Sequence, residues 1–544
     1  MRLLVPLCVL ALVAGCTHDS GEAAVGFHFD EQLYRNDIKT LASDAFEGRA
    51  PTTHGEQMTL DYLVHAFKSI GMQPGPDGSY LQKVPMVSYS ASEQQQITLA
   101  GIPLQYRKDI VLNSHHDIKR VDIENAPLVF VGYGINAPEY GWNDYQGIDM
   151  HGKIALILVN DPGFANPDSG KFDGKAMTYY GRWTYKYEEA SRQGAVGAII
   201  IHQTEAASYP WSVVEHSWTG PQQDLVTENA QPRVTVEGWI TLDAATAVFA
   251  KAGQALDVAI NQAAHKPTQL PLGQTATISF ANSANYGESY NVVANLPGTV
   301  NADEHILFTG HWDHLGKDDT LEGDKIFNGA MDNASGVAGM LAIARQFTAA
   351  AKAGHGIRRS VTFVVTTGEE QGLLGSRYYA EHPLFPLEHT IGVFNLDSTN
   401  IYGKTKDFTI VGKGKSELEL YLTAAVNQQQ RQVKSEQHPE SGGYFRSDHF
   451  SFAKYGVPAV FAGGGNEPID EATAKYKEQM QQRMKGCYHN TCDEYQADWD
   501  LSGALQDLAV YYRAATMLGN SDAHPGYYEG TEFYSLRPAT HIKL

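Results

Sequence analysis

The spacing of apolar residues changes along the chain and divides it into regions. Between residues 29 and 71, apolar side chains such as Leu60, Leu63 and Phe67 recur at three- and four-residue steps, which predicts helices. From about residue 126, short apolar runs predict strands, among them PLVFVGYGI, KIALILVND and GAVGAIIIH. From about residue 290, strand-like runs alternate with helical patterns, beginning with NVVANLPG, HILFTG and SGVAGMLAIARQFTAAAK.

This alternation predicts an α/β fold whose mostly parallel sheet is covered by helices on both faces. A chain of 544 residues is also too long for one core, so we expect more than one domain. We assign residues 27–114 and 284–520 to the sheet-and-helix domain, residues 115–283 to an inserted β-rich domain, and residues 521–544 to a tail. Functional side chains are expected beyond the carboxyl ends of the parallel strands.

The first sixteen residues, MRLLVPLCVLALVAGC, combine one arginine with a short apolar run and end in small residues before Cys16. The run is too short to span a bilayer comfortably, so it predicts an export signal over residues 1–16. The stretch VAGC resembles a bacterial lipobox, whose cysteine carries a lipid anchor, while an ordinary secretory signal is the alternative. With residues 17–26 as a polar tether and Thr17 after the cysteine, this pattern implies the periplasmic face of the outer membrane, with the cell surface or secretion as alternatives.

Charge and cysteine content narrow the partners and the compartment. A formal net charge of −21 argues against binding nucleic acid, whose phosphates need a basic surface. Cys8 lies in the signal and Cys16 is the lipidation candidate, which leaves Cys487 and Cys492. An oxidising periplasm favours a disulfide between them, although two free thiols or a zinc knuckle with histidine are alternatives.

Histidines and carboxylates follow several of the predicted strands, and metal ligands of this type favour zinc. Two zinc ions usually share one bridging carboxylate at a separation of about 3.5–4 Å. Asp332 lies in the middle of these residues in chain order, so it is the natural candidate for the carboxylate that bridges two metal ions. His311 and Asp397 would complete one site, and Glu370 and His489 the other.

Two further carboxylates have predicted roles beside these ligands. Asp313 stands two residues from His311 and is placed to hold the second nitrogen of that imidazole. Glu369 is left without a metal beside Glu370, as a general base would be. Taken singly, such residues are more often helix starts, caps, turns or surface groups, and only their joint order indicates a metal site. The stretch His115–Asp117 lacks ligand spacing and is expected to be an exposed loop.

Several motifs together resemble the bacterial di-zinc aminopeptidases of peptidase family M28; they are GHWDH, GAMDNASG, GEEQGLLGS, NLDS, SDHFSFAKYGVPAV and YHNTCDEY. The stretches LASDAFEGRAPTTHGE and SYLQKVP resemble members with a protease-associated (PA) domain insert, which implies a PA domain over residues 115–283. The resemblance implies two Zn²⁺ ions, peptide substrates cleaved at the N-terminus, and the zinc ligands His311, Asp332, Glu370, Asp397 and His489.

The same resemblance implies that Glu369 is the general base, that Asp313 orients the first histidine, and that Tyr488 donates to the oxyanion. Asn333 stands where many members have aspartate, and His449 matches a position that does not bind metal. A glutaminyl cyclase, a carboxypeptidase or a non-catalytic binding scaffold of the same clan are alternatives. Neither the side-chain preference nor the oligomeric state can be read from the sequence.

Overall fold

The computed structural model describes residues 29–226 and 233–544. The predicted signal over residues 1–16 and the tether over residues 17–26 lie outside these residues, so both stay predictions. No helix within the described residues is long and apolar enough to cross a bilayer.

The described residues form strands that we number in chain order. They are β1 (Leu81–Ala91), β2 (Gln96–Leu99), β3 (Ile102–Pro103), β4 (Ile110–Asn113), β5 (Arg120–Phe130), β6 (Asn136–Ala137), β7 (Trp142–Asn143), β8 (Ile154–Leu158), β9 (Gly197–Ile201), β10 (Gln222–Leu225), β11 (Val236–Ile240), β12 (Leu270–Leu296), β13 (Asn301–His311), β14 (Gly316–Lys317), β15 (Ile326–Phe327), β16 (Arg359–Thr366), β17 (Thr390–Asn395), β18 (Asp407–Val411), β19 (Gln432–Ser435) and β20 (Ala459–Gly463).

The α-helices are numbered in the same way. They are α1 (Glu31–Leu41), α2 (His54–Ile70), α3 (Pro162–Ala165), α4 (Trp183–Arg192), α5 (Thr204–Ala207), α6 (Trp211–Trp218), α7 (Leu242–Lys251), α8 (Leu256–Ala263), α9 (Gly336–Lys352), α10 (Leu374–Glu381), α11 (Leu418–Gln428), α12 (His449–Ala453), α13 (Glu471–Arg483) and α14 (Ser502–Gly519).

The core sheet has the strand order β19-β18-β20-β17-β13-β16-β12-β1, and β20, β17, β13 and β16 are parallel neighbours. Successive residues of β13 point to opposite faces of the sheet. Phe308 packs with α9 and α14 on one face, and Leu307 packs with α10 and α12 on the other. Both faces of the sheet are therefore covered by helices. The predicted α/β fold class is confirmed.

A second sheet, ordered β4-β11-β9-β8-β5-β12-β2-β3, builds the inserted domain. It begins at Gln96, so the predicted boundary at residue 115 is too late; β2 pairs with β12, and β4 pairs with β11. These two strands are short and precede the long apolar runs, which is why the sequence pattern placed them in the core. The assignment of this insert as a PA domain stays a prediction.

Strand β12 belongs to both sheets. Its first half pairs with β5 in the insert, and its second half pairs with β1 and β16 in the core. The insert is thus joined to the core by an antiparallel ribbon in which residues 81–91 pair with residues 282–292. A further strand, β10, pairs with β1 and leads from the insert toward the ends of the core strands.

Candidate metal centre

The three strands at the middle of the core sheet end side by side. His311, the last residue of β13, lies opposite Thr366, the last residue of β16, and Thr309 lies opposite Asn395 at the end of β17. The loops after β16 and β17 carry Glu369, Glu370 and Asp397. Parallel pairing therefore delivers these side chains to one edge of the sheet, as the strand pattern predicted.

Asp332 reaches the same edge from the turn Ala330–Ser335, which leads into α9. The backbone N–H groups of Met331 and Asp332 donate to the carboxylate of Asp493, at 2.9 and 3.1 Å. The Asp332–Asn333 peptide bond is cis, and the Asn333 side chain donates to the Leu396 carbonyl at 2.9 Å. The turn is thus fixed from two sides.

All five predicted ligands converge. The Nε2 atom of His311 lies 3.3 Å from Asp332 Oδ1 and 3.4 Å from Asp397 Oδ1. The Nε2 atom of His489 lies 2.9 Å from Glu370 Oε2 and 3.4 Å from Asp332 Oδ2. The two oxygens of Asp332 therefore face different histidines, as a bridging carboxylate requires.

The donor atoms form two overlapping groups, each with its atoms within 4.8 Å of one another, and both contain His311. One group adds Glu369 and Asp397, and the other adds Asp332 and Glu370. Imidazole nitrogen and carboxylate oxygen are donors that zinc accepts, and these side chains are buried or nearly so. The donor atoms of these residues thus fit zinc.

Burial and mutual charge shift the protonation of these groups. Burial alone would lower the pKa of His311, but the carboxylates of Glu369, Asp332 and Asp397 raise it well above its ordinary value. Burial opposes ionisation of Asp332, yet the hydrogen bonds from His311 and His489 hold its pKa well below the usual range. The two histidines therefore favour the charged form of Asp332, which suits a metal ligand.

Glu369 is shifted in the opposite direction. Burial raises its pKa well above the usual range, and the negative charges of Asp397 and Glu370 add to the rise although His311 opposes it. Its Oε2 lies 3.9 Å from His311 Nε2, farther than the oxygens of Asp332 and Asp397. A carboxylate with a raised affinity for protons is what a general base needs.

Asp313 is buried, but its contacts differ in part from those predicted. The Nδ1 atom of His311 lies 3.1 Å from the backbone carbonyl of Asp313 and 3.8 Å from its carboxylate. A carbonyl only accepts, so Nδ1 carries a proton, and Nε2 is the nitrogen on which a metal would replace the second proton. The Asp313 carboxylate instead accepts from the backbone N–H groups of Glu369 and Glu370, at 3.1 and 3.4 Å, and so fixes their loop.

Tyr488 lies against the ligand that follows it. Its ring stacks on that of His489 with centroids 3.9 Å apart, and its phenol oxygen accepts from Arg446 Nη2 at 3.3 Å. Cys487 and Cys492 form a disulfide around this segment. The favoured pairing of these cysteines is confirmed, and the free-thiol and zinc-knuckle alternatives are wrong.

Three contacts to the ligands were not foreseen from the sequence. The Nδ1 atom of His314 lies 2.6 Å from Glu370 Oε1, and Ser447 Oγ donates to Asp397 Oδ2 at 2.6 Å. Ser217 Oγ, on α6 of the insert, lies 3.3 Å from His489 Nδ1. His314 and Ser447 stand within the motifs already quoted, whereas nothing near Ser217 in the sequence marks it.

The ligands open into a cavity of about 470 Å³ between the core and the insert. The insert supplies part of its lining, including Arg182, Tyr209 and Ser217. His115 also lines it, and its side chain is only 8% exposed beside Asp224, so the expectation of an exposed loop is wrong at this residue. That expectation failed because β10, which carries Asp224, pairs with β1 and reaches the site.

Comparison with known proteins agrees with this geometry. Residues 291–513 match peptidase family M28 and include every predicted ligand. This chain carries an M28 peptidase domain. Aminopeptidase NAALADL1 of Mus musculus is 25% identical over 259 residues, which are 45% of this chain and 32% of that protein. A "Probable zinc metalloprotease" of Pyrenophora teres f. teres is 36% identical over 107 residues, which are 20% of this chain and 22% of that protein.

The chain thus spans a third or less of the length of these curated relatives. Among solved structures, an aminopeptidase from Aneurinibacillus sp. strain AM-1 superposes with a TM-score of 0.53 at 21% identity. The superposition covers 91% of this chain and 95% of that one, so the two share a fold over nearly their whole lengths.

Proposed function

We propose that this protein is a zinc-dependent aminopeptidase that releases N-terminal residues from peptides. The observation that carries the proposal is the convergence of His311, Asp332, Glu370, Asp397 and His489, with Glu369 beside them. All of them except the fully buried His311 line one cavity. The M28 domain supports a metallopeptidase of this kind.

His311 and Asp397 would hold one zinc ion, Glu370 and His489 the other, and Asp332 both. Bound zinc polarises a scissile carbonyl and lowers the pKa of a water molecule. The side chains of the protein would then orient the peptide, transfer the protons of the reaction and exclude bulk water from the site. Asp332, which faces both histidines, sets the spacing of the two sites.

Glu369 transfers a proton from the attacking water to the leaving nitrogen. As general base it takes the proton of the attacking water while the new C–O bond forms, and as general acid it returns that proton to the leaving nitrogen when the C–N bond breaks. Its raised pKa allows one carboxyl group to do both. The Asp313 carboxylate, which accepts from the Glu369 N–H at 3.1 Å, holds the base in place.

Tyr488 stabilises the developing oxyanion. Arg446 donates to the phenol oxygen, so the phenol's own proton remains free to be donated to a substrate oxygen. A preorganised donor of this kind typically contributes about 10²–10³-fold in rate. Stacking on His489 fixes the ring next to the metal ligands.

The cavity favours the end of a peptide over its middle, because the insert covers part of it. A free N-terminus is a cation, and it is attracted to the carboxylates gathered on the cavity floor. Cleavage one residue from that end then places the scissile carbonyl near Glu369.

The test uses the purified full chain with zinc and a set of aminoacyl-anilides and short peptides. Chelation should abolish hydrolysis and added zinc should restore it. Glu369→Gln should keep the bound zinc and lose about 10²–10⁴-fold in kcat, the range for general-base removal. Glu388→Gln, in the loop before β17, is the matched control and should retain activity.

Mass spectrometry of the products and metal analysis separate the alternatives. Release of N-terminal residues supports an aminopeptidase, C-terminal release a carboxypeptidase, and loss of ammonia from an N-terminal glutamine a cyclase. A protein that binds no zinc and cleaves nothing would overturn the proposal in favour of a binding scaffold. Undiminished hydrolysis by Glu369→Gln would refute the assigned base.

A further inference from the structure

A nearly buried carboxylate of the insert joins the insert to the core beside the metal centre. Asp224, on β10, has a side chain that is only 13% exposed. Its Oδ1 accepts from Arg377 Nη2, on α10 of the core, at 3.0 Å, and its Oδ2 accepts from Arg233 Nη2 of the insert at 2.7 Å. His115 Nδ1 lies 3.5 Å from the same Oδ2. None of these four side chains takes part in the proposed mechanism.

The partners of Asp224 keep it charged. Burial opposes its ionisation, but the charge of Arg233, the contact with His115 and the charge of Arg377 hold the pKa of the carboxyl well below its usual range. Each oxygen of the carboxylate thus has an arginine partner, one from each domain. Removing one partner of a buried ion pair leaves the other charge uncompensated, so such partners are held firmly in place.

The neighbours of Asp224 on β10 contact the loop that carries the proposed general base. The backbone N–H of Gln223 donates to Gln371 Oε1 at 3.2 Å, and Gln371 directly follows the two glutamates of the site. Leu225 packs in one apolar cluster with Leu374, the first residue of α10. Three consecutive residues of β10 therefore contact this loop or the helix that follows it.

The loop itself is a tight turn that its backbone alone does not favour. It begins at Gly368, with φ 64°, and ends with Gly372 and Leu373, with φ 110° and 62°. A left-handed conformation is unfavourable for a residue with a side chain such as Leu373, so neighbouring contacts have to maintain it. The Asp313 carboxylate fixes the backbone N–H groups in the middle of the loop, whereas the contacts of β10 hold its end.

We propose that Asp224 is a positioning residue for catalysis, which acts through Arg377 to hold the loop of Glu369 and Glu370 against the insert. The inference rests on the proposed function and adds to it that the insert sets the orientation of the general base. Asp224 is not among the described residues that line the cavity, so it acts through its partners rather than on a substrate.

The proposal predicts which kinetic constant changes. A displacement of about 1 Å at a reacting group can cost about 10²-fold in rate. Glu369 acts in the chemical step, so its displacement lowers kcat and kcat/KM together and leaves KM nearly unchanged. Loss of a contact that served only to bind the peptide would raise KM instead.

The first experiment measures kcat and KM of Asp224→Asn and Arg377→Gln on the zinc-loaded full chain. Each variant should lower kcat by about tenfold or more and change KM by less than about twofold. Arg377→Lys, which keeps the charge, should recover part of the loss. An unchanged kcat in both Asp224→Asn and Arg377→Gln would overturn the inference and leave the aminopeptidase intact.

The double variant Asp224→Asn, Arg377→Gln tests whether the effect passes through the pair. Both substitutions break one contact, so the double variant should lose no more activity than the worse single variant. Losses that multiply would contradict the link through Arg377. Thermal unfolding checks that each variant is folded. If Asp224→Asn does not fold, Arg377→Gln carries the test, because it leaves Asp224 paired with Arg233.

Asp318→Asn is the matched control. Asp318 of the core lies 3.9 Å from Arg107 of the insert, so this pair also joins the two domains. The other hydrogen-bond and ion-pair partners described for the two side chains lie outside residues 368–373. The control should keep kcat. A loss equal to that of Asp224→Asn would show that any loosening between the domains suffices, and would overturn the specific role of Asp224.

Hydrogen exchange of the metal-free protein separates this inference from the proposed function. The N–H groups of Gly372 and Leu373 both donate to the Glu369 carbonyl at 2.9 Å, so their exchange reports opening of the loop. Amides of residues 368–373 should exchange about tenfold faster in Asp224→Asn than in wild type, whereas those of β13 should keep their rates. If nothing is cleaved but this exchange accelerates, the function fails and the positioning role stands. Unchanged exchange would refute the positioning role, whether or not peptides are cleaved.

Discussion

Glu370 shows at the scale of single residues how the side chain of a proposed metal ligand is held by its neighbours. His314 contacts one of its oxygens at 2.6 Å, and His489 contacts the other at 2.9 Å. Burial and Asp332 oppose ionisation, yet the two histidines lower the pKa of Glu370 to about 2. The carboxylate is thereby both charged and fixed in direction.

Replacing His314 tests this arrangement. His314→Leu removes the contact to Glu370 Oε1 while filling similar space, and partners of metal ligands typically contribute about 10–100-fold in affinity. We expect zinc affinity, measured by competition with a chromogenic chelator, to fall within that range. His355→Leu, at an exposed turn after α9, is the control. Unchanged zinc affinity would show that Glu370 needs no such support.

Glu56 on α2 offers a prediction about stability. Its side chain is buried, and burial raises its pKa from 4.5 to about 7 although the Thr52 N–H opposes the shift. Between these pH values the folded state holds a proton that the unfolded state has released. The contribution of Glu56 to stability is therefore full below pH 4.5 and falls as pH rises toward 7.

Glu56→Gln should remove this pH dependence, because the amide cannot ionise. Relative to wild type, the variant should gain about 2 kcal/mol between pH 5 and pH 8. Urea unfolding at both pH values measures the change. Glu124→Gln, at an exposed position, should show no such gain, and a parallel pH profile for Glu56→Gln and wild type would contradict the burial argument.

At this scale the sequence identified most of the side chains that meet. Ligand-type residues at His311, Asp332, Glu369, Glu370, Asp397 and His489 could be found because each follows a recognisable pattern. The contacts of Asp313 could not, because a side chain two residues from a histidine can face the imidazole or the next loop. Only the backbone path decides, and here it turns the carboxylate toward the N–H groups of Glu369 and Glu370.

Among the elements, the loop from Cys487 to Cys492 positions His489. This residue has φ 53°, in the left-handed region that costs a non-glycine residue about 1–2 kcal/mol. The disulfide closes the loop around it, and the Asp493 carboxylate that follows binds the turn carrying Asp332. Two predicted ligands from distant parts of the chain, His489 and Asp332, are thereby linked.

Removing the disulfide should reduce the affinity of the site for zinc more than it reduces the stability of the fold. The double variant Cys487→Ser, Cys492→Ser frees His489 to leave the left-handed conformation, and we expect zinc affinity to fall by about tenfold. Metal competition measures the affinity, and thermal unfolding of the metal-free protein supplies the control. Equal zinc affinity with a lower unfolding temperature would show that the disulfide serves the fold alone.

The sequence predicted secondary-structure elements well where the strands and helices are long and alternate along the chain. The rhythm after residue 290 predicted strands whose ends meet, and β13, β16 and β17 are indeed adjacent. It was less informative for β2 and β4, four residues each, whose membership depends on distant partners in β12 and β11. Short strands carry too few residues for their pattern to indicate a sheet.

For the whole molecule, the insert and the core build one site. Ser217 of the insert lies 3.3 Å from the second nitrogen of the ligand His489, and Arg182 and Tyr209 line the same cavity. No local pattern could have predicted this, because the contact joins residues 272 positions apart. We therefore expect the insert to affect metal binding as well as access.

Ser217→Ala tests this coupling. Losing the contact leaves the His489 imidazole less well oriented, so zinc affinity should drop by about tenfold. Ser212→Ala, on the same helix, is the control. The readout is again metal competition, because turnover alone could change through access. An unaltered affinity would confine the insert to a covering role.

Strand β12 also has a mechanical consequence. It passes from one sheet into the other as 27 residues of continuous strand, paired with β1 across the junction. A hydrogen-bonded ribbon resists bending far more than a glycine-rich linker does. We therefore expect the mouth of the cavity to keep a nearly constant width during turnover. The cross-section of a substrate, more than any hinge motion between the insert and the core, would then determine which polypeptides can enter.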